Sequence, residues 1–104
     1  MELSLTKAAQ VVLFAHEIER AEPELRAFID GLNEDEQAEL VAMTWIGRGS
    51  FEPDDWAEAL STARQEKTMP TEDYLLGMPH LADHLDTGAE MLGLDLSAAE
   101  EDLL

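Results

Sequence analysis

Apolar and polar positions along the chain fall into short helical stripes separated by single breaker residues. Nowhere do they show the two-residue alternation of a half-buried strand. Ser4 suits a helix N-cap, and "LTKAAQVVLFAHEIER" behind it carries Val11, Phe14, Ala15 and Ile18 on one face, widened by Leu5, Ala8 and Val12. Pro23 fits a first-turn position and predicts a second, short helix with the stripe Leu25, Phe28, Ile29 and Leu32. The strongest helix signal is "NEDEQAELVAMTWIG". Asn33 and Glu36 stand at capping-box spacing, and the acidic first turn suits the positive end of the helix dipole. Past Glu39 the polarity disappears. Leu40, Val41, Ala42, Met43, Trp45 and Ile46 surround the axis, as expected of a buried helix, so Trp45 should be buried. Gly47 and Gly49 should stop this helix.

In "SFEPDDWAEALSTARQEK", Pro53 suits the first helical position, with Glu52 at the cap. Phe51 and Trp56 then match a hydrophobic staple, an alternative to an exposed aromatic binding patch. Trp56, Ala59, Leu60 and Ala63 form the core stripe. A short helix over 71–76 ends at Gly77. Another starts at Pro79, runs to about Leu92 with Leu81, Leu85, Ala89 and Leu92 inward, and is capped by Gly93. The pattern predicts an all-α fold: a compact single-domain bundle of about five helices over 1–93, built around a central helix at about 33–47. Residues 94–104 read as an acidic, loosely ordered C-terminal tail with a weak cap signal at Ser97 and Glu100.

Length agrees with one domain: 104 residues can bury a core without staples. The absence of cysteine excludes disulfides, thiolate zinc sites and cysteine nucleophiles. The N-terminal run 8–15 is interrupted by Gln10 and follows Glu2, so no secretory leader is expected. No stretch approaches the roughly 20 apolar residues of a membrane span, and a cytoplasmic location is the default expectation. Charge changes the picture most. With 24 acidic and 6 basic residues the net charge is −18. Direct binding to nucleic acid or an anionic membrane is disfavoured, because both are polyanions. A basic partner protein or cations are favoured, and mimicry of DNA's charge is one version. A generally acidic, salt-adapted composition is the plainer alternative.

Three blocks, "LNEDEQAELVAMTWIGRG", "DDWAEAL" and "TEDYLLGMPHLADHLDTG", resemble in order and spacing a group of small bacterial proteins, domain of unknown function family 3775. The resemblance runs from about Ile29 to Gly93, more weakly over the first helix. It implies a compact, mostly helical bacterial protein and carries no established activity, substrate or catalytic residue. The family pattern after "YLLG" runs proline, two aliphatics, a small residue, Asp-Tyr-Leu and an acidic pair before glycine. This chain departs from it: His80 replaces an aliphatic, His84 a tyrosine, and Asp86 and Thr87 fill the acidic pair.

His80 and His84, four residues apart with Asp83 between them, are the candidate metal ligands, because i, i+4 imidazoles on a helix can face one cation. The same wheel puts both rings at the edge of the leucine stripe, where amphipathic side chains are ordinary. No phosphate-binding glycine loop, GxSxG or HExxH occurs, and no catalytic residue or cofactor is expected. Arg48, between Gly47 and Gly49, could grip an anion but better fits the negative end of its helix. Two functions remain: a non-enzymatic interaction module using an acidic surface, or a small metal-binding protein or metallohydrolase using His80, Asp83 and His84. The central helix could be covered within one chain or by a second copy.

Overall fold

A computed structural model describes all 104 residues. The chain folds into seven α-helices: α1 (Leu5–His16), α2 (Ile18–Asp30), α3 (Glu34–Arg48), α4 (Trp56–Gln65), α5 (Thr71–Leu76), α6 (Leu81–Met91) and α7 (Ser97–Leu103). A single 3-10 turn over Pro53–Asp55 leads into α4. There is no strand. The all-α expectation holds, with more helices than the five or so anticipated.

The centre is α3. Its capping box forms as the sequence spacing implies: Asn33 Oδ1 accepts the Glu36 N–H at 2.8 Å, and Glu36 Oε1 accepts the Asn33 N–H at 3.0 Å. Every residue from Glu36 to Ile46 is buried by the chain's own elements. Only Gly49 ends the helix. At φ 89° it closes a Schellman turn, with the Ser50 N–H on the Trp45 carbonyl at 2.9 Å and its own N–H on Ile46 at 3.1 Å.

Gly47 was expected to help stop α3 and instead lies inside it, for a packing reason. There α3 crosses α6, its most extensive neighbour, backbone against backbone. A Cβ on Gly47 would lie 1.7 Å from the His84 carbonyl oxygen, and one on Gly88 would lie 2.1 Å from that of Met43. Neither obstacle is a flexible side-chain end, so no side chain larger than hydrogen fits either position.

Two other boundaries differ from the sequence reading. The first helix breaks at Glu17 rather than before Pro23, and α2 runs through Pro23. Proline removes the N–H that would reach the Glu19 carbonyl. Glu19 and Pro23 are both exposed, so water can take that carbonyl. The bend at Glu17 lets the α1 stripe (Val11, Val12, Ala15) and the α2 stripe (Leu25, Ile29) enter one core, with Phe14 and Phe28 edge to face at 6.1 Å. In the segment expected as a loose tail, α7 forms and packs on α1, and Leu96 is buried before it. Leu96, rather than Ser97, stands at the N-cap of α7, and just before it the Asp95 carboxylate accepts the Ser97 N–H at 3.0 Å.

Phe51 stacks on Trp45, with ring centroids 5.7 Å apart. Trp45 is buried as expected, and its indole N–H donates to the Tyr74 hydroxyl at 2.8 Å. Buried polar groups on α3 act as ties. Both Glu39 oxygens accept from the Glu2 N–H at 2.8 Å, and one accepts the Leu3 N–H at 3.0 Å, pinning the N-terminal segment. Gln37 donates to the Ile29 and Leu32 carbonyls at 2.9 and 3.2 Å, closing the end of α2. Glu36 pairs with the Lys7 ammonium at 2.7 Å. That bond, helped by the Asn33 N–H, holds the Glu36 carboxyl below its ordinary value against an opposing desolvation effect.

Gly88→Ala should destabilise the fold toward the upper end of the roughly 1–3 kcal/mol typical of overpacking, measured by urea unfolding. Gly31→Ala is the control: its Cβ would meet the Ala27 carbonyl oxygen at 3.4 Å, an ordinary contact. That change should stay within about 0.5 kcal/mol of the parent. Equal effects at both sites would refute the tight crossing.

The Glu36 carboxyl, lowered by folding, supplies stability that is present above its unfolded value of 4.5 and lost as pH falls through the lower folded value. The stability gap between the parent and Glu36→Gln should therefore narrow between about pH 6 and pH 3. A gap that stays constant or widens would contradict the pairing with Lys7.

Candidate functional site

The structure brings the predicted histidines close without assembling a ligand set. His80 immediately precedes α6 at φ 60°, in the left-handed region, where histidine is among the commoner non-glycine residues. Its carbonyl accepts the His84 N–H at 3.0 Å, so it forms the first turn of α6. The two imidazoles lie edge to face with centroids 6.5 Å apart. His80 is exposed and His84 half-buried. Asp83 is exposed on the same helix and makes no side-chain hydrogen bond or ion pair. No group of three or more His, Asp or Glu side chains converges in a metal-holding arrangement. His16, the third histidine, pairs instead with Asp86 at 2.6 Å and ties the end of α1 to α6.

Arg48 donates through Nε to the Ser50 hydroxyl at 3.0 Å, beside the turn that ends α3. It lies in the last turn of α3, and its side-chain bond goes to that hydroxyl rather than to a helix carbonyl.

Charge is the dominant surface property. Lys7 pairs with Glu36, Arg26 with Asp73 and Glu22, and Arg64 with Asp35; with His16 and Asp86, five of the 24 carboxylates take part in ion pairs. The others have no cationic side chain within ion-pair distance. Four carboxylates border a cleft where α6 ends and α7 begins. Asp86, Glu90, Asp95 and Glu100 line a cleft of about 360 Å³ whose apolar surface comes from Ala89, Leu94 and Leu96. No lysine or arginine lines it.

The hydrophobic pattern did not reveal this cleft. Gly93, at φ 76°, turns the chain, and the Leu94 N–H bonds back to the Ala89 carbonyl at 2.8 Å. That turn swings α7 across to α1 and opens the cleft. The glycine's place in the sequence marks a helix cap, and the direction of the chain beyond it carries no sequence signature.

No curated protein and no solved structure matches the chain. No helix is long and apolar enough to cross a membrane. The model of one family matches residues 22–94, the span from the middle of α2 through α6 that holds the capped central helix and its glycine crossing, and the chain belongs to that family, described as Protein of unknown function (DUF3775).

Proposed function

We propose that this protein is a non-enzymatic interaction module whose acidic surface, centred on the cleft between α6 and α7, engages a basic partner protein. One observation carries the reading. The fold leaves most of its carboxylates without an internal cation and gathers four of them around an apolar strip. An arginine or long lysine side chain suits this combination. Its methylene stem can lie on Ala89, Leu94 and Leu96 while its cationic head meets the rim carboxylates. Asp86 is the only one of the four paired with a basic side chain, His16, while Asp95 accepts the Ser97 N–H. Such complementarity acts mainly on encounter rate and partner choice, and salt weakens it.

The test uses a fluorescent arginine-rich peptide as the probe. Raising salt shortens the Debye length from about 30 Å at 0.01 M to about 10 Å at 0.1 M. Peptide affinity should fall over that range, while folding stability should rise as self-repulsion is screened. The double variant Glu90→Lys/Glu100→Lys should lose more affinity than Glu24→Lys/Glu58→Lys, which places the same charge change on α2 and α4. Equal losses from both pairs, or affinity indifferent to salt, would overturn the assignment of the cleft.

A further inference from the structure

A second concavity lies elsewhere on the molecule and has a different chemistry. The connection between α4 and α5, residues 66–70, stands off α3 and leaves a groove of about 570 Å³. Its apolar floor is Ala38, Val41 and Trp45, at helical spacing on α3, with Ala63 from α4. These four side chains retain 7–8 % exposure, whereas Leu40, Met43 and Ile46 on α3 retain none. The groove is thus one place where the core reaches solvent. The size lies in the range of small-molecule pockets, about 300–1,000 Å³.

The polar groups around this floor have an unusual balance. Gln37 spends its amide hydrogens on the Ile29 and Leu32 carbonyls, and its carbonyl oxygen accepts from Lys67 Nζ and Thr71 Oγ1, both at 3.3 Å. Lys67, like Arg20 and Arg48, has no carboxylate within ion-pair distance, and of these three it alone lines the groove. The Tyr74 oxygen accepts the Trp45 indole N–H, and its own O–H has no acceptor in the chain. The Thr68 hydroxyl is likewise free. The unspent donor capacity facing the groove is thus the ammonium hydrogens of Lys67 and the hydroxyls of Thr68 and Tyr74, above an apolar floor. Among the rim carboxylates, Asp35 is held by Arg64 at 2.9 Å, while Glu34 and Glu66 are unpaired. Those two negative charges disfavour a multiply charged ligand beside a single ammonium.

We propose that this groove binds a small monocarboxylate with an apolar body. The carboxylate meets Lys67 and the Tyr74 hydroxyl, and the apolar body lies over Val41, Trp45 and Ala63. A charge-assisted hydrogen bond is the stronger kind, so Lys67 carries the largest share of the recognition.

The probe is 4-phenylbutyrate, compared with its neutral amide, phenethylamine and a phenylalkyl phosphate. In a Trp56→Phe background Trp45 is the sole tryptophan, and its fluorescence reports occupancy of the floor. The carboxylate should give saturable binding, with the amide at least about tenfold weaker and the phosphate weaker than the carboxylate. Lys67→Met keeps the methylene stem of an exposed side chain and should weaken the carboxylate about tenfold without changing the amide. Tyr74→Phe should weaken it by a smaller factor, and Arg20→Met should leave it unchanged. Several results would overturn the proposal. They are absence of saturable binding, equal binding of carboxylate and amide, preference for the amine, and a Lys67→Met variant with unaltered affinity. The ligand panel on the parent chain does not depend on how any groove variant folds.

Discussion

The fold depends on two helices touching without side chains between them. At Gly47 and Gly88 the backbones of α3 and α6 come within the distance a methyl group would occupy. Packed helices are usually held 8–10 Å apart by the side chains at their contact. Removing those side chains brings α6 close enough to bury Leu81, Leu85 and Ala89 against α3. The same helix carries two further features at its ends. At one end lie His80 and His84. At the other lies the Gly93 turn that sends α7 back to α1 and frames the acidic cleft.

Electrostatics divides the molecule into two regimes. Close to α3, carboxylates are spent structurally. Glu36 is held by Lys7 and its own cap, and Glu39 clamps the backbone of residues 2 and 3. Each buried charge has a partner, as burial requires. On the outside, carboxylates far outnumber cations, and the compact state holds against their repulsion through the apolar core. Three cations also lack a carboxylate partner: Arg20, Arg48 beside the Ser50 hydroxyl, and Lys67, whose ammonium meets an amide oxygen. The two surfaces proposed above would accordingly differ in sign of preference, one for cationic side chains and one for a single negative charge over an apolar floor.

Local signals were legible in the sequence and long-range geometry was not. Asn33 and Glu36 declared the start of α3 because a capping box is complete within four residues. Trp45 declared its burial because the residues around it leave no polar face. Gly47 misled because a glycine near a helix end ordinarily marks a stop, and its partner Gly88 is distant in sequence. Pro23 misled in the opposite sense: its lost hydrogen bond is tolerable where the freed carbonyl faces water. The clamp at Glu39 joins residues 36 and 37 positions apart, so no window pattern reveals it. The histidine pair was legible as a spacing, but a spacing on one helix does not place a third ligand. The groove over Trp45 depends on a connection standing away from α3, which composition does not encode.

The most direct test of the backbone crossing is a nuclear Overhauser measurement on isotopically labelled protein. Gly47 and Gly88 each carry two α-hydrogens, and the account places these backbones in van der Waals contact. Strong cross-peaks should link the Gly88 α-hydrogens to the Gly47 amide and to backbone hydrogens near Met43. Resolved Gly47 and Gly88 signals with no cross-peak between them would show that side chains separate α3 from α6, and would contradict the account.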